Sequence, residues 1–140
     1  MILLKNLEVK QVMERKVSEI MTDNVITTTP DVDVVNAFEK LMECKISSLP
    51  VVVDGELVGI ITATDVGHNL ILDKYELGTS VEEIMIRDVV TISPEDNLET
   101  AIKAMKDATS GSGILNQLPV VQDGKLVGII SDGDIIQEVF

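Results

Sequence analysis

The chain has 140 residues, of which 45% are hydrophobic and only 2% aromatic, so it is long enough for a compact core made of aliphatic side chains. Its formal net charge of −13 argues against nucleic acid and anionic membranes as partners, because both attract basic surfaces. We predict a cytoplasmic protein without disulfides, because the sequence has a single cysteine, Cys44, no signal-peptide pattern and no apolar run of about 20 residues.

After a short lead-in, which we expect to be an ordered arm packed on the body, the sequence repeats itself. The segment Val17–Met21 returns as Val81–Met85, and the segment Leu49–Val52 returns as Leu118–Val121. Two long copies are too few for a solenoid and favour two packed supersecondary units. The predicted divisions are an N-terminal arm at 1–16, a first repeat at 17–76 and a second repeat at 77–140.

Both repeats carry the same predicted elements in the order α-β-α-β-β-α. In the first repeat these are a short helix at 16–21, a strand at 25–27, a helix beginning at Thr29-Pro30, two strands joined at Asp54-Gly55, and a closing helix at 65–76. Their counterparts are at 80–85, 89–91, Ser93-Pro94, Asp123-Gly124 and 132–139. The first long helix has an apolar stripe that should face the core, namely Val34, Val35, Phe38, Leu41 and Met42.

In each repeat the last strand runs into a hydroxyl residue, and an aspartate follows three residues later. These pairs are Thr62 with Asp65 and Ser131 with Asp134. A carboxylate there can accept hydrogen bonds from both hydroxyls of a ribose, and a hydroxyl at a helix start can donate to a phosphate. The alternatives are an aspartate that only favours the first helical turn, by about 0.3–1 kcal/mol, and a hydroxyl that only caps the helix.

The β-α-β-β-α order, the Leu-Pro-Val-Val segments followed by Asp-Gly, and the Gly-Ile-Ile-[Thr/Ser]-x-x-Asp endings resemble the cystathionine β-synthase (CBS) domain over residues 17–139. The resemblance implies an α/β fold of two tandem CBS repeats, each with a small mixed sheet, packed by pseudo-two-fold symmetry around two clefts. Such pairs bind AMP, ADP, ATP, S-adenosylmethionine or relatives and usually regulate an enzyme or channel. The resemblance therefore implies a stand-alone regulatory ligand sensor, acting as a homodimer on a separate protein target.

The resemblance also implies which residues meet the ligand. Thr27 and Thr91 match the position that contacts adenine, and an apolar slot for the ring would be formed by Ile46, Pro50, Leu115 and Pro119. Ordinary core packing is the alternative for each of them. His68 and Arg87 are candidates for phosphate contact, although the counterpart of His68 is the uncharged Gln137.

Charge favours AMP or S-adenosylmethionine over ADP or ATP, because a triphosphate brings about four negative charges to an acidic chain and charges within about 8–10 Å are not screened. The extra segment at 109–117 is either an anion-binding loop or a surface insertion, and Leu115 could block the second cleft.

With one histidine and one cysteine, no catalytic or metal site and no required cofactor are expected. The alternative function is a structural dimerisation module with unused clefts; a nucleic-acid binder is disfavoured by charge.

Overall fold

The computed structural model describes residues 2–107 and 116–139 and divides into two compact units. The continuous unit is Ile26–Val89, and the discontinuous unit combines Met1–Val25 with Val90–Phe140. In chain order the elements are α1 (Ile2–Met13), α2 (Val17–Ile20), α3 (Val34–Glu43), β1 (Ser48–Val53), β2 (Glu56–Thr62), α4 (Ala63–Ile71), α5 (Val81–Ile84), α6 (Leu98–Asp107), β3 (Gln117–Gln122), β4 (Lys125–Ser131) and α7 (Asp132–Val139). The α/β class predicted from the sequence is confirmed.

Each unit contains one antiparallel hairpin that turns at the predicted Asp-Gly pair. β1 pairs with β2 around Asp54 and Gly55, which have φ angles of 50° and 83°. β3 pairs with β4 around Asp123 and Gly124, at 54° and 81°. Positive φ at both central residues defines the type I′ turn, whose twist matches that of the strands it joins.

The prediction of strands at 25–27 and 89–91 is wrong, because neither range is a strand in the structure. The residue that follows each range pairs with the hairpin through a single parallel bridge, Thr28 in the continuous unit and Ile92 in the discontinuous unit. The Thr28 N–H donates to the Pro50 carbonyl at 3.0 Å, and the Val52 N–H donates to the Thr28 carbonyl at 2.9 Å. The bridge fixes the segment beside β1, so each unit has antiparallel and parallel pairing.

The prediction that α3 begins at Thr29-Pro30 is wrong, because the helix begins at Val34 with Asp33 as its N-cap. The Asp33 carboxylate accepts the Val35 N–H at 2.8 Å. Thr29 lies in the preceding turn, where its hydroxyl donates to the Asp31 carboxylate and lowers the pKa of that group. Hydroxyl and carboxylate side chains can form local hydrogen bonds in a turn as well as at a helix start. A sequence that resembles a helix cap can therefore lie in a turn a few residues before the helix begins.

The same correction applies to α6, which begins at Leu98 rather than at Ser93-Pro94. Asn97 takes the capping role there, and its side-chain oxygen accepts the Thr100 N–H at 2.8 Å. Ser93 instead accepts the Glu95 N–H at 3.3 Å within the turn. Both long helices therefore start four residues after the predicted proline, since Pro30 precedes Val34 and Pro94 precedes Leu98.

Aliphatic side chains fill a separate core in each unit. The buried core of the continuous unit consists of Val34, Ala37, Leu41, Leu49, Val51, Ile61, Val66, Val81 and Met85. The buried core of the discontinuous unit consists of Val17, Ile92, Leu98, Ala101, Met105, Leu118, Val120, Ile130 and Ile135. The α3 stripe is narrower than predicted, because Val35 and Met42 are 46% and 48% exposed.

The short helices α2 and α5 pack in the unit that does not contain the rest of their sequence repeat. α2 lies in the first repeat, yet Val17 is fully buried in the discontinuous unit and its N–H donates to the Asp96 carbonyl at 2.7 Å. α5 lies in the second repeat, yet Val81 and Met85 belong to the core of the continuous unit. The compact units are therefore offset from the predicted sequence repeats by one short helix, and the repeat boundaries themselves stay a prediction.

Helix α1 forms the N-terminal arm and belongs to the discontinuous unit. Val12 and Met13 pack against the core of that unit. The following Arg15 joins the arm to α7 through an ion pair between its Nη1 and Glu138 Oε2 at 3.1 Å, and it also pairs with Glu19.

Candidate functional site

In the continuous unit, the hairpin register brings the end of β2 and the start of α4 beside the start of β1. Ser48 at the start of β1 is opposite Thr62 at the end of β2. The Ala63 N–H donates to the Ser47 carbonyl at 2.8 Å, which fixes the start of α4 beside the start of β1. We use the name continuous-unit corner for the residues predicted from the first repeat, namely Thr27, Ile46, Pro50, Thr62, Asp65 and His68.

The predicted pair of hydroxyl and carboxylate opens α4 at this corner. Thr62 is the N-cap, and its Oγ1 accepts the Asp65 N–H at 3.2 Å. The hydroxyl hydrogen of Thr62 remains a donor, because this bond uses only an oxygen lone pair. Asp65 is half-buried, and within the described part of the chain its carboxylate accepts no hydrogen bond. An aspartate so placed can receive the two hydroxyls of a ribose without first giving up a protein partner.

The corresponding place in the discontinuous unit is the discontinuous-unit corner, defined by Thr91, Pro119, Ser131 and Asp134. Here the hydroxyl and the carboxylate bond to each other's backbone at the start of α7. Asp134 N–H donates to Ser131 Oγ at 3.1 Å, and Ser131 N–H donates to Asp134 Oδ2 at 3.0 Å. This is the reciprocal arrangement of a capping box. One oxygen of Asp134 is therefore engaged, while Asp65 has both of its oxygens available.

The residues predicted to meet the base have mixed exposure. Pro50 in β1 and Pro119 in β3 are buried. Ile46 and Thr27 are half-buried, and Thr91 is exposed. Leu115 and residues 109–115 of the predicted insertion lie outside the residues that the structure describes.

Neither candidate for phosphate contact has a fixed position facing a ligand. His68 is exposed on α4, one turn beyond Asp65. Arg87 is held near α5, where its Nη2 donates to the Glu82 carbonyl at 3.2 Å and lies 3.8 Å from the Glu82 carboxylate. The guanidinium of Arg87 is therefore partly neutralised by its own neighbour.

Sequence reasoning missed Lys40, whose ammonium group donates to the Thr27 carbonyl. It is a cation bonded directly to a residue of the continuous-unit corner. The pattern that could have revealed it is the alignment of the two repeats, where Lys40 on α3 corresponds to Ala104 on α6. A lysine in one copy and an alanine in the other indicates that the copies differ at that place.

No helix within residues 2–107 and 116–139 is long and apolar enough to cross a membrane. The same residues include no group of three or more His, Cys, Asp or Glu side chains placed to hold a metal ion.

A family model described as the CBS domain matches residues 17–70 and 81–140, so the match is made twice and covers most of the chain. Among curated proteins, an uncharacterized protein of Methanocaldococcus jannaschii is 34% identical over 122 residues, which are 86% of this chain and 41% of that protein. A homoserine O-acetyltransferase of Methanosphaera stadtmanae is 31% identical over 86% of this chain and 23% of its own length. The chain thus spans less than half the length of these relatives.

Two solved structures are similar over nearly their whole length. The CBS domain pair of protein MJ0100, in complex with 5′-methylthioadenosine and S-adenosyl-L-methionine, has a TM-score of 0.75 and 30% identity, and the match covers 88% of this chain and 94% of that one. CBSX2 of Arabidopsis thaliana, in complex with AMP, has a TM-score of 0.72 and 30% identity, covering 87% and 93%.

Proposed function

Because the chain belongs to the CBS domain family, with two tandem CBS repeats, we propose that it is a regulatory module that binds an adenosyl ligand at its two corners. The observation that carries the proposal is the hydroxyl and the aspartate that open α4 and α7, Thr62 with Asp65 and Ser131 with Asp134. Each pair lies at the end of a strand whose partner is bonded to the segment predicted to meet adenine. The sugar contact and the base contact in each unit are therefore joined through one strand pairing and one bridge.

Each corner residue has a role in this proposal. Asp65 and Asp134 accept hydrogen bonds from the ribose hydroxyls, because a carboxylate provides several acceptor sites. Thr62 and Ser131 donate to the group attached to the ribose while they continue to cap their helices. Thr27 and Thr91 meet the adenine. We propose Ile46, Pro50 and Pro119 as the apolar side chains beside the ring, and the exposed His68 as a contact for a phosphate.

The ligand class follows from related structures and from charge. The two similar structures hold AMP in one case and S-adenosylmethionine with 5′-methylthioadenosine in the other. At a net charge of −13, AMP and S-adenosylmethionine are favoured over ADP and ATP, because each added phosphate increases repulsion from the protein. No further cofactor is required in this proposal, and the chain performs no catalysis itself.

The bound ligand acts through a protein target. It can change the state of the module only to the extent that it binds one state more tightly than another. We infer a cytoplasmic homodimer that signals to a separate protein, without nucleic acid or membrane partners. Sedimentation velocity with and without AMP tests the dimer: a dimer is expected in at least one condition, and a monomer in both would contradict it.

A second candidate is a structural dimerisation module that no longer uses its corners. The specific observation in its favour is that Pro50 and Pro119 are buried and that Ser131 and Asp134 bond to each other's backbone. Residues whose hydrogen bonds are already satisfied within the protein can be retained for stability alone.

Isothermal titration with AMP, S-adenosylmethionine, ADP and ATP separates the two candidates. The sensor binds at least one of them, and Asp65→Ala and Asp134→Ala each remove one binding event. Glu99→Ala is the matched control, because Glu99 is exposed in the first turn of α6 and lies at neither corner. A scaffold shows no heat with any ligand and no rise in thermal stability, whereas a ligand at 100 times its Kd stabilises by about 2.7 kcal/mol.

A further inference from the structure

The outer side of helices α3 and α4 in the continuous unit is apolar. Val35 and Met42 on α3 are 46% and 48% exposed, and Ile71 at the end of α4 is 86% exposed. The two helices touch where a Cβ atom added at Gly67 would lie 3.0 Å from Phe38 Cε1. Val35 and Met42 are three residues before and four residues after Phe38, and Ile71 is four residues after Gly67, so the five residues share one surface. We call this surface the α3–α4 face.

The α3–α4 face is a feature of the first repeat rather than of the shared fold. In the second repeat Val35 corresponds to Glu99 and Met42 corresponds to Lys106, and both of these charged residues are exposed on α6. Charged residues at these positions are compatible with contact with water. A group of exposed apolar residues instead marks a surface that another molecule covers.

The discontinuous unit has a third helix against its long helices, and the continuous unit does not. Helix α1 contacts both α6 and α7, and its residues Val12 and Met13 pack against the core of that unit. In the continuous unit the corresponding place before α5 is residues 72–80, which form turns and contain no helix. The helices α3 and α4 therefore lack, within their own unit, the helix that α6 and α7 have.

Helix α1 has a second apolar side, which is turned away from its own unit. Leu7 is 56% exposed and, at 3.6 residues per turn, lies opposite Val12 and Met13 around the helix. Leu3 and Leu4 precede Leu7 by four and three residues in the sequence, which is the spacing of one helix face. A helix with apolar residues on two opposite sides is typical of a helix that packs between two surfaces.

The charges of α1 also suit the α3–α4 face. The charged residues are Lys5, Glu8 and Lys10 on α1, Glu39, Lys40 and Glu43 on α3, and Asp65 on α4. Among the described helices of eight or more residues, α1 is the one in which basic residues outnumber acidic ones. The residues that directly follow these helices do not change the signs, since Glu14 is offset by Arg15, and Lys45 and Lys74 are offset by Asp73 and Glu76. Opposite charge on two surfaces favours their association in a chain whose copies otherwise repel each other.

We propose that α1 of one copy of this chain packs on the α3–α4 face of a second copy, with Leu7 against Val35, Met42 and Ile71. Because the two surfaces differ, a two-fold dimer contains this contact twice. The inference rests on the homodimer of the proposed function and names the surfaces that form it. It also places the arm of one copy on α4 of the other, the helix that begins beside Thr62 and Asp65.

Sedimentation equilibrium of the full chain tests the contact. Val35→Glu combined with Met42→Lys installs the residues of α6, and it should raise the dimer dissociation constant at least tenfold, because charged side chains replace the apolar contact. Leu7→Gln, on the opposite surface, should act in the same direction. Glu99→Gln combined with Lys106→Gln is the matched control on α6 and should leave the dissociation constant unchanged. Circular dichroism of each variant verifies that it is folded.

Cross-linking of two different chains identifies the surfaces that meet. Both chains carry Cys44→Ser, since Cys44 is exposed. One chain carries Leu7→Cys, and the other carries a single cysteine in place of Val35, Met42 or Ile71. A short bismaleimide should join the mixed chains for at least one of the three positions. Lys106→Cys, at the α6 position that corresponds to Met42, should give no product with the Leu7→Cys chain.

Three results would overturn the inference. The α3–α4 cysteines could join only to their own kind, which would mean that two such faces meet. Leu7→Gln could leave the dimer unchanged, or the unmodified chain could remain a monomer at about 1 mM, the weak end of specific association. Titration of the same samples with AMP and S-adenosylmethionine tests ligand binding separately, so a monomer that binds a ligand contradicts this contact and not the ligand site, and a dimer with this contact that binds neither contradicts only the ligand site.

Discussion

The sulfur atom of Met85 lies against the backbone of Gly59, so closely that a Cβ atom at position 59 would be 2.6 Å from Met85 Sδ and 3.0 Å from the Ile86 carbonyl oxygen. The same relationship joins Met21 to Gly128, where the added Cβ would be 2.5 Å from Met21 Sδ. In each case the methionine follows a short helix of one sequence repeat, and the glycine lies in a strand of the other. These two contacts attach α5 and α2 to the units in which they pack.

Gly59→Ala and Gly128→Ala should therefore each destabilise the protein by about 1–3 kcal/mol, because an added methyl group in a filled space forces its neighbours to move. Urea unfolding followed by circular dichroism measures the change. Gly133→Ala is the control, since its Cβ would lie 3.6 Å from Ser131 Oγ, an ordinary contact, and alanine is the better helix former. Loss of stability in the control but not at Gly59 would contradict the packing described here.

Because α2 and α5 each pack in the unit that does not contain the rest of their sequence repeat, the structure predicts which fragments fold. Residues 26–89 form one continuous compact unit and should unfold cooperatively on heating. A fragment of equal length, 17–80, lacks Val81 and Met85 and should show no transition, because burial of each such side chain contributes about 1.5–3 kcal/mol and small domains are marginally stable. Equal stability of the two fragments, measured by circular dichroism, would show that the sequence repeat is the folding unit.

The corresponding helix starts of α4 and α7 should respond differently to loss of the aspartate. Asp134→Ala removes the acceptor of the Ser131 N–H and should cost about 0.5–2 kcal/mol, as loss of a helix cap does. Asp65→Ala removes no hydrogen bond to the described residues and should cost only the dipole contribution of about 0.3–1 kcal/mol. Asp134→Asn, which keeps an acceptor oxygen, should recover part of the loss. A larger cost for Asp65→Ala than for Asp134→Ala in urea unfolding would contradict this difference.

The turn before α3 predicts a pH effect at Asp31. The Thr29 hydroxyl donates to its carboxylate and lowers the pKa of Asp31 from 3.8, so Thr29→Val should raise this pKa again. Because the pKa is lowered in the folded state, the bond stabilises the protein above pH 3.8 and is lost as the pH falls through the folded-state pKa. Carboxyl carbon NMR shifts measure the change, and an identical Asp31 pKa in the variant would show that the hydroxyl has no such role.

Local patterns in the sequence predicted much of the fold. The Asp-Gly pairs gave both hairpins, because only residues that tolerate positive φ suit a type I′ turn, and the hydroxyl residues Thr62 and Ser131 were correctly placed at helix starts. The start of α3 could not be predicted in the same way. Thr29-Pro30 and Asp33 both offer a cap, and the choice depends on the bridge at Thr28 and on the Thr79 carbonyl, which accepts the Val34 N–H at 2.8 Å.

Contacts between residues distant in the chain account for what the sequence did not predict. The repeat pattern does not reveal which unit α2 and α5 pack in, because both helices carry the same apolar residues, Val, Ile and a following Met, and either unit could bind either helix. The difference between Asp65 and Asp134 is likewise a matter of side-chain orientation rather than of residue type. Lys40 was missed because it is distant from the motifs and reaches Thr27 only when α3 is folded beside that segment.

The most direct test of the proposed function is a crystal structure of the protein grown with AMP. The account predicts that the Asp65 carboxylate lies about 2.5–3.0 Å from the ribose hydroxyl oxygens, with the adenine beside Thr27 and Pro50. AMP bound elsewhere, with the Asp65 carboxylate directed to solvent, would contradict it.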